Sequence, residues 1–127
     1  MKIWVDDTRP APEGYRWCKS VNEAIDLIQA SDRHIARAVG LGHESFLDRD
    51  YKRRNKCYAH ANTWDIQLID IDHDAGDYAS DGGDYVKLLD WLEENGHKYP
   101  IRIHSMNPVG VQNMRAIIQR NGWTEVL

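Results

Sequence analysis

Three short apolar runs in this chain each end in a cluster of ionisable residues. Lys2-Ile3-Trp4-Val5 leads into Asp6-Asp7-Thr8-Arg9, Ile69-Asp70-Ile71 into Asp72-His73-Asp74, and Ile101-Arg102-Ile103 into His104-Ser105-Met106-Asn107. Parallel strands of an open α/β sheet place their carboxyl ends on one edge, which is where ligands bind. If the runs are such strands, groups distant in sequence converge in space.

The segments between the runs support that reading. Ser20-Val21-Asn22-Glu23 has capping-box spacing, and Val21, Ala24, Ile25 and Ile28 continue it as one apolar helical stripe. Val86, Leu89 and Leu92, with Tyr85 and Leu88 beside them, predict a second helix closed near Gly96. Asn107-Pro108 is a cap and first-turn pair for a third helix, with Val111, Met114, Ile117 and Ile118 on its apolar face and Asn121-Gly122 at its end. Tyr15 to Lys19, Trp64 to Ile71 and Trp123 to Leu127 read as further strands. Pro10 and Pro12 forbid a helix directly after the first strand. Strands alternating with helices imply βαβ units and a mainly parallel sheet.

A chain of 127 residues has room for one core, so residues 1–127 are expected to form a single domain. Residues 31–64 fit the alternation poorly. They carry Gly40, Gly42 and the basic run Lys52-Arg53-Arg54-Asn55-Lys56, and read as an insertion or long excursion with room for a helical turn of its own. The net charge of −4 hides a polarity: residues 31–64 hold seven Lys/Arg against four acids, whereas residues 65–85 hold seven Asp and no base. Such an acidic stretch calls for a cation, a protonated partner or an exposed loop.

Several classes are set aside. No run approaches the roughly 18 apolar residues of a membrane span, and Met1-Lys2-Ile3-Trp4-Val5-Asp6 turns acidic too soon for a signal peptide, so a cytoplasmic location is expected. Cys18 and Cys57 lack Cys-x-x-Cys spacing and read as buried or incidental thiols. Asp70, Asp72, Asp74 and Asp81 echo a calcium loop, but Gly76 falls one place late and the preceding segment is strand-like. No DNA-binding motif is present, and no feature sets an oligomeric state.

Trp4-Val5-Asp6-Asp7-Thr8-Arg9-Pro10, Asp72-His73-Asp74-Ala75-Gly76 and His104-Ser105-Met106-Asn107-Pro108-Val109-Gly110, followed by Asn113-Met114, together resemble the cyclic-phosphate processing receiver domains, a divergent branch of the two-component receivers. The resemblance implies a receiver-like (flavodoxin-like) α/β fold, a mainly parallel sheet flanked by helices with the first helix degenerate; it leaves residues 31–64 uncovered. In ordinary receivers an acidic pair after the first strand and an aspartate after the third hold Mg²⁺ and accept a phosphoryl group. A Ser or Thr after the fourth strand and a Lys after the fifth complete the switch. Asp6, Asp7, Asp72 and Ser105 match the first three of these roles, but Trp123-Thr124-Glu125-Val126-Leu127 offers no lysine. His73 and His104 stand at the strand ends instead.

Opening a cyclic phosphodiester needs a base for water, an acid for the departing oxygen and positive charge around the phosphoryl oxygens. His73 and His104, with Asp72, are the expected catalytic groups. Arg9, Ser105 and Asn107 are the expected phosphate ligands, aided by amides opening the third helix. Two arrangements satisfy the carboxylates: Mg²⁺ on Asp6, Asp7 and Asp72, or a metal-free network with Arg9 and protonated histidines. Asp74, Asp77 and Asp81 read as turn and helix caps, and His34, His43, His60 and His97 as surface residues. The basic run, with Tyr51, Tyr58 and Trp64 near it, could clamp a nucleotide or RNA backbone, although a short charge run is more often solvated surface. The expected function is phosphodiesterase-like processing of a cyclic phosphate on a nucleotide or RNA end. The alternative is a non-enzymatic receiver-like module that binds a phosphorylated ligand or partner.

Overall fold

A computed structural model describes the backbone of residues 1–45 and 65–127, and the side chains of 1–34 and 65–127. By internal contacts the chain divides into one unit of Met1–Asp26 with Ile66–Leu127 and a second of Leu27–Asp65. The first unit holds four parallel strands, β1 (Lys2–Val5), β2 (Tyr15–Cys18), β3 (Leu68–Ile71) and β4 (Ile101–Ile103), in the order β2-β1-β3-β4. This is the receiver order. The strand expected from Trp64 starts at Leu68, because β1 offers its first partner, Lys2, at that register. The last expected strand shrinks to one parallel bridge between Ile101 and Glu125.

Burial alternates along β1, whereas β3 is buried on both faces from Ile69 to Ile71. Ile3, Val5, Cys18, Ile69, Ile71 and Ile101 are buried on one face. They form the core with Leu88, Leu89 and Leu92 of α2 (Val86–Glu94) and Met114, Ile117 and Ile118 of α3 (Pro108–Arg120). The steps from β3 to β4 and from β4 to the Glu125 bridge run the same way across the sheet, so right-handed crossovers place α2 and α3 on one face. The step from β1 to β2 runs the opposite way, and residues 6–14 form no helix. The expected degenerate first helix is thus a loop. The second face carries Trp4, Trp17, Tyr15, Asp70 and Arg102, which the strand registers place side by side.

The helix that begins after Ser20, α1 (Val21–Ser45), runs well past the apolar stripe that predicted it. No proline interrupts residues 21–45, and the helix continues through Gly40 and Gly42 into the segment read above as an irregular insertion. Residues 46–64, including the basic run with Arg53 and Arg54, and Cys57, His60 and Trp64, lie outside the described residues. The start of α1 is fixed as the sequence predicts: the Glu23 amide donates to Ser20 Oγ at 3.0 Å, and Glu23 reaches back to the Lys19 amide at 3.1 Å. Ser20 Oγ and Asn22 Nδ2 also donate to Asp81, at 2.6 and 3.0 Å, tying the β3–α2 loop to this corner.

Cys18 is buried, and burial pushes its thiol up to about 12, so it is an inert core group. His97 departs from the surface role expected of it. Its ring stacks between Trp91 and Tyr99, with centroids 5.1 and 5.6 Å away. No described helix is long and apolar enough to cross a membrane.

Candidate functional site

The backbone ladder extends one residue beyond the strands and aligns their ends. The Asp6 amide donates to Cys18 O, the Asp72 amide to Val5 O at 2.9 Å and the His104 amide to Ile71 O at 2.9 Å. Asp6, Asp72 and His104 therefore stand side by side on the carboxyl edge. The convergence anticipated from sequence is present.

His104 turns back over the second face of the sheet. Its Nδ1 is 2.6 Å from Asp70 Oδ1 and its Nε2 is 2.9 Å from Asp6 Oδ2, while its ring stacks on Trp4 with centroids 3.8 Å apart and planes 6° from parallel. The side chains are 12% exposed for His104, 0% for Asp6 and 2% for Asp70. Only the imidazolium donates from both nitrogens, so this geometry selects the charged ring. Burial pulls its pKa down, but the hydrogen bonds and charges of Asp70 and Asp6 outweigh that and raise it above the ordinary imidazole value.

A pH dependence follows. The unfolded chain releases the His104 proton near pH 6.5 while the folded chain keeps it, so this contribution to stability is complete below about pH 6.5 and is lost as pH rises through the folded value. Urea midpoints measured upward from about pH 6 should fall, and the fall should be absent in His104→Gln. A midpoint that rises over that range would count against the charged ring.

Asp6 is held by more than His104. Its Oδ1 accepts from the Thr8 and Arg9 amides at 3.0 and 2.9 Å, so the loop after β1 wraps its carboxylate. Burial pushes this carboxyl up, yet the Arg9 and Thr8 amides with His104 hold it below the usual carboxylate range. Trp4 Nε1 donates to Arg9 O and Trp17 Nε1 to Asp6 O, both at 2.8 Å, which explains the two tryptophans on this face. Asp72 behaves oppositely. Burial and the nearby charge of Asp6 raise it, against the pull of the His73 amide, His104 and the Ser105 hydroxyl.

Carboxylate oxygens of Asp6, Asp7 and Asp72 lie within 4.8 Å of one another. At an effective dielectric of 20, each ionised pair at that distance repels by about 3–4 kcal/mol. Three hard oxygen donors suit a divalent cation of the Mg²⁺ type. Three of the four lone-pair sites on Asp6 are already used by two amides and His104, leaving one on Oδ2. Gly76, at φ +55°, lets the next loop pass close to Asp7: a Cβ there would overlap Asp7 Oδ2.

His73 occupies the other side of the edge. Its Nδ1 is 2.8 Å from Asp74 Oδ1, and Asn107 Nδ2 approaches the same nitrogen at 3.4 Å. Its Nε2 has no partner among the described residues. The ring is 14% exposed and lies over Gly110, where a Cβ would overlap its atoms. Asn107 caps α3 by accepting from the Gly110 amide at 3.1 Å, and its own amide donates to Ser105 Oγ at 3.1 Å. His73, Asn107, Ser105 and Asp72 thus form one connected set. The Arg9 guanidinium is exposed and has no partner among the described residues.

The sequence reading named Asp6, Asp7, Asp72, His73, His104, Ser105, Asn107 and Arg9, and all of them lie on the carboxyl edge or in the loops leaving it. It missed Asp70, Trp4 and the pairing of Asp74. Asp70 had a signal: a lone acid between Ile69 and Ile71 in a strand faces away from the core and needs a partner there. Asp74, read as a turn cap, pairs with a ring, whereas the Ala75 amide is held by Asp84 Oδ1 at 3.1 Å.

A parallel sheet in receiver order, with an acidic trio at its carboxyl edge, defines a receiver-like α/β protein. The chain belongs to the cyclic-phosphate processing receiver domain family, whose profile matches residues 1–120 and so runs through the 31–64 segment as well. Neither the curated proteins nor the solved structures give a match.

Proposed function

We propose that this protein hydrolyses a cyclic phosphodiester on a nucleotide or RNA end, with His73 as the proton-transfer group. The observation that carries the reading is the contrast between the two histidines. His104 has both nitrogens bonded to buried carboxylates, whereas His73, the residue after Asp72, keeps Nε2 without a partner among the described residues. The expected acid/base pair therefore becomes a division of labour. His104 holds Asp6 and Asp70 in place as a fixed cation, and His73 exchanges protons.

In the proposed reaction a water oxygen bonds to phosphorus, its proton passes to His73 Nε2, and one ring P–O bond breaks, the departing oxygen taking a proton from solvent. Arg9 offers a forked guanidinium to the phosphoryl oxygens. Ser105 and the Val109 amide complete the anion site, the Asn107, Gly110 and Val111 amides being already engaged and Pro108 contributing no donor. Mg²⁺ on Asp7, Asp72 and the remaining Asp6 lone pair would supply charge neutralisation at the phosphoryl group.

A second reading has one observation in its favour. With a divalent cation on the trio, that site and Arg9 would hold a phosphorylated ligand without turnover, because His104 is already committed to carboxylates. A panel of 2′,3′- and 3′,5′-cyclic nucleotides and RNA ends bearing cyclic phosphate, each with Mg²⁺ and with chelator, separates the two. Ring-opened product supports hydrolysis; saturable binding with no product in any lane supports the binding module.

A further inference from the structure

We propose that Asp74 and Asn107 act as positioning residues which select between the two neutral tautomers of His73. Both address the same nitrogen with opposite demands. Asp74 Oδ1, 2.8 Å from Nδ1, requires a proton on that nitrogen; Asn107 Nδ2, 3.4 Å from it, is a donor and requires a lone pair there. The amide of Asn107 cannot turn to relieve this, because its Oδ1 is fixed by the Gly110 amide at 3.1 Å. The ring is held from below by Gly110, so it stays in place while its proton moves.

The shorter contact governs the resting state. With Asp74 engaged, the proton sits on Nδ1 and Nε2 presents a lone pair. When Asp74 is drawn away, Asn107 donates to Nδ1 and the proton sits on Nε2. Asp74 is 61% exposed and pairs only with His73 among the described residues, whereas Asn107 is anchored as a helix cap. One ring is thereby set as proton acceptor by an exposed carboxylate, with a donor-compatible form held in reserve. The hydrogen-bond selection stands on geometry alone; its catalytic meaning rests on the function proposed above.

The test is long-range ¹H–¹⁵N correlation of the histidine side chains in the ligand-free protein, at a pH where His73 is neutral, with its signals assigned from the spectrum of His73→Gln. The expected pattern is a protonated Nδ1 and a bare Nε2 in the wild type and in Asp74→Asn, whose side-chain oxygen still accepts. Asp74→Ala should reverse the two nitrogens, and Asp74→Ala with Asn107→Ala should give a mixture of both forms. Doubly protonated His104 signals in every variant report an intact fold. A wild-type ring protonated on Nε2, or an Asp74→Ala ring still protonated on Nδ1, overturns the proposal whatever the activity. If the wild type turns over a cyclic phosphate, Asp74→Ala should lower kcat by about 10²-fold with KM little changed, and Asp74→Asn should retain most of it. An undiminished kcat in Asp74→Ala, despite reversed tautomers, removes the catalytic role.

Discussion

His104→Ala should destabilise the fold by about 3–5 kcal/mol at neutral pH, the largest stability effect of any single change at this site. The reason is electrostatic. Asp6 and Asp70 are fully or almost fully buried, and His104 is the cation between them. Removing the ring leaves Asp6 with its Thr8 and Arg9 amides, but leaves Asp70, among the described residues, with only Arg102, whose Nε is 4.0 Å from it and half exposed. A buried carboxylate without a close cation takes up a proton, so the loss should shrink as pH is lowered toward the acid range. Trp4 also loses the ring stacked on it. Urea denaturation at two pH values measures both effects, and a loss under about 1 kcal/mol at neutral pH would mean the triad contributes little.

His73→Ala should behave in the opposite way. The ring sits on Gly110 at the edge of the structure and no buried charge depends on it, so the variant should remain folded with a similar unfolding midpoint. Its turnover of a 2′,3′-cyclic nucleotide should drop by about 10²–10⁴, the usual worth of a positioned proton-transfer group. KM should change little, because Arg9, Ser105 and the start of α3 remain to bind phosphate. Steady-state kinetics on the two variants together give the contrast: one histidine whose loss is felt first in stability, one whose loss is felt first in kcat. A His73→Ala protein with undiminished kcat would return the catalytic role to another group.

Much of this arrangement was legible from local rules. The runs Ile3 to Val5, Ile69 to Ile71 and Ile101 to Ile103 become parallel strands because their apolar residues have one face to bury. The caps at Ser20 and Asn107 form because those side chains answer free helix amides. Pro10 and Pro12 remove the first helix as their chemistry requires. The end of α1 was hidden, since Gly40 and Gly42 read as breaks in the pattern, yet the helix runs through both to Ser45.

At the site, residue types at strand ends predicted convergence but not pairing. Whether a histidine beside carboxylates is a free base or a locked cation depends on two distances, and these are set by how far His104 folds back across β3. The value of Asp74 was hidden for a related reason. An aspartate after a strand is more often a turn cap, and only the orientation of the His73 ring, fixed by Gly110 without a side chain, turns it into a partner.

The measurement closest to the central claim is ³¹P NMR of a 2′,3′-cyclic nucleotide incubated with wild-type protein and Mg²⁺, with His73→Ala run in parallel. Hydrolysis at His73 predicts that the cyclic-phosphate resonance is replaced by that of a ring-opened monophosphate in the wild-type sample and persists in the His73→Ala sample. Equal ring opening in both samples, or a cyclic resonance that survives at wild-type concentrations sufficient to bind it, would contradict the account.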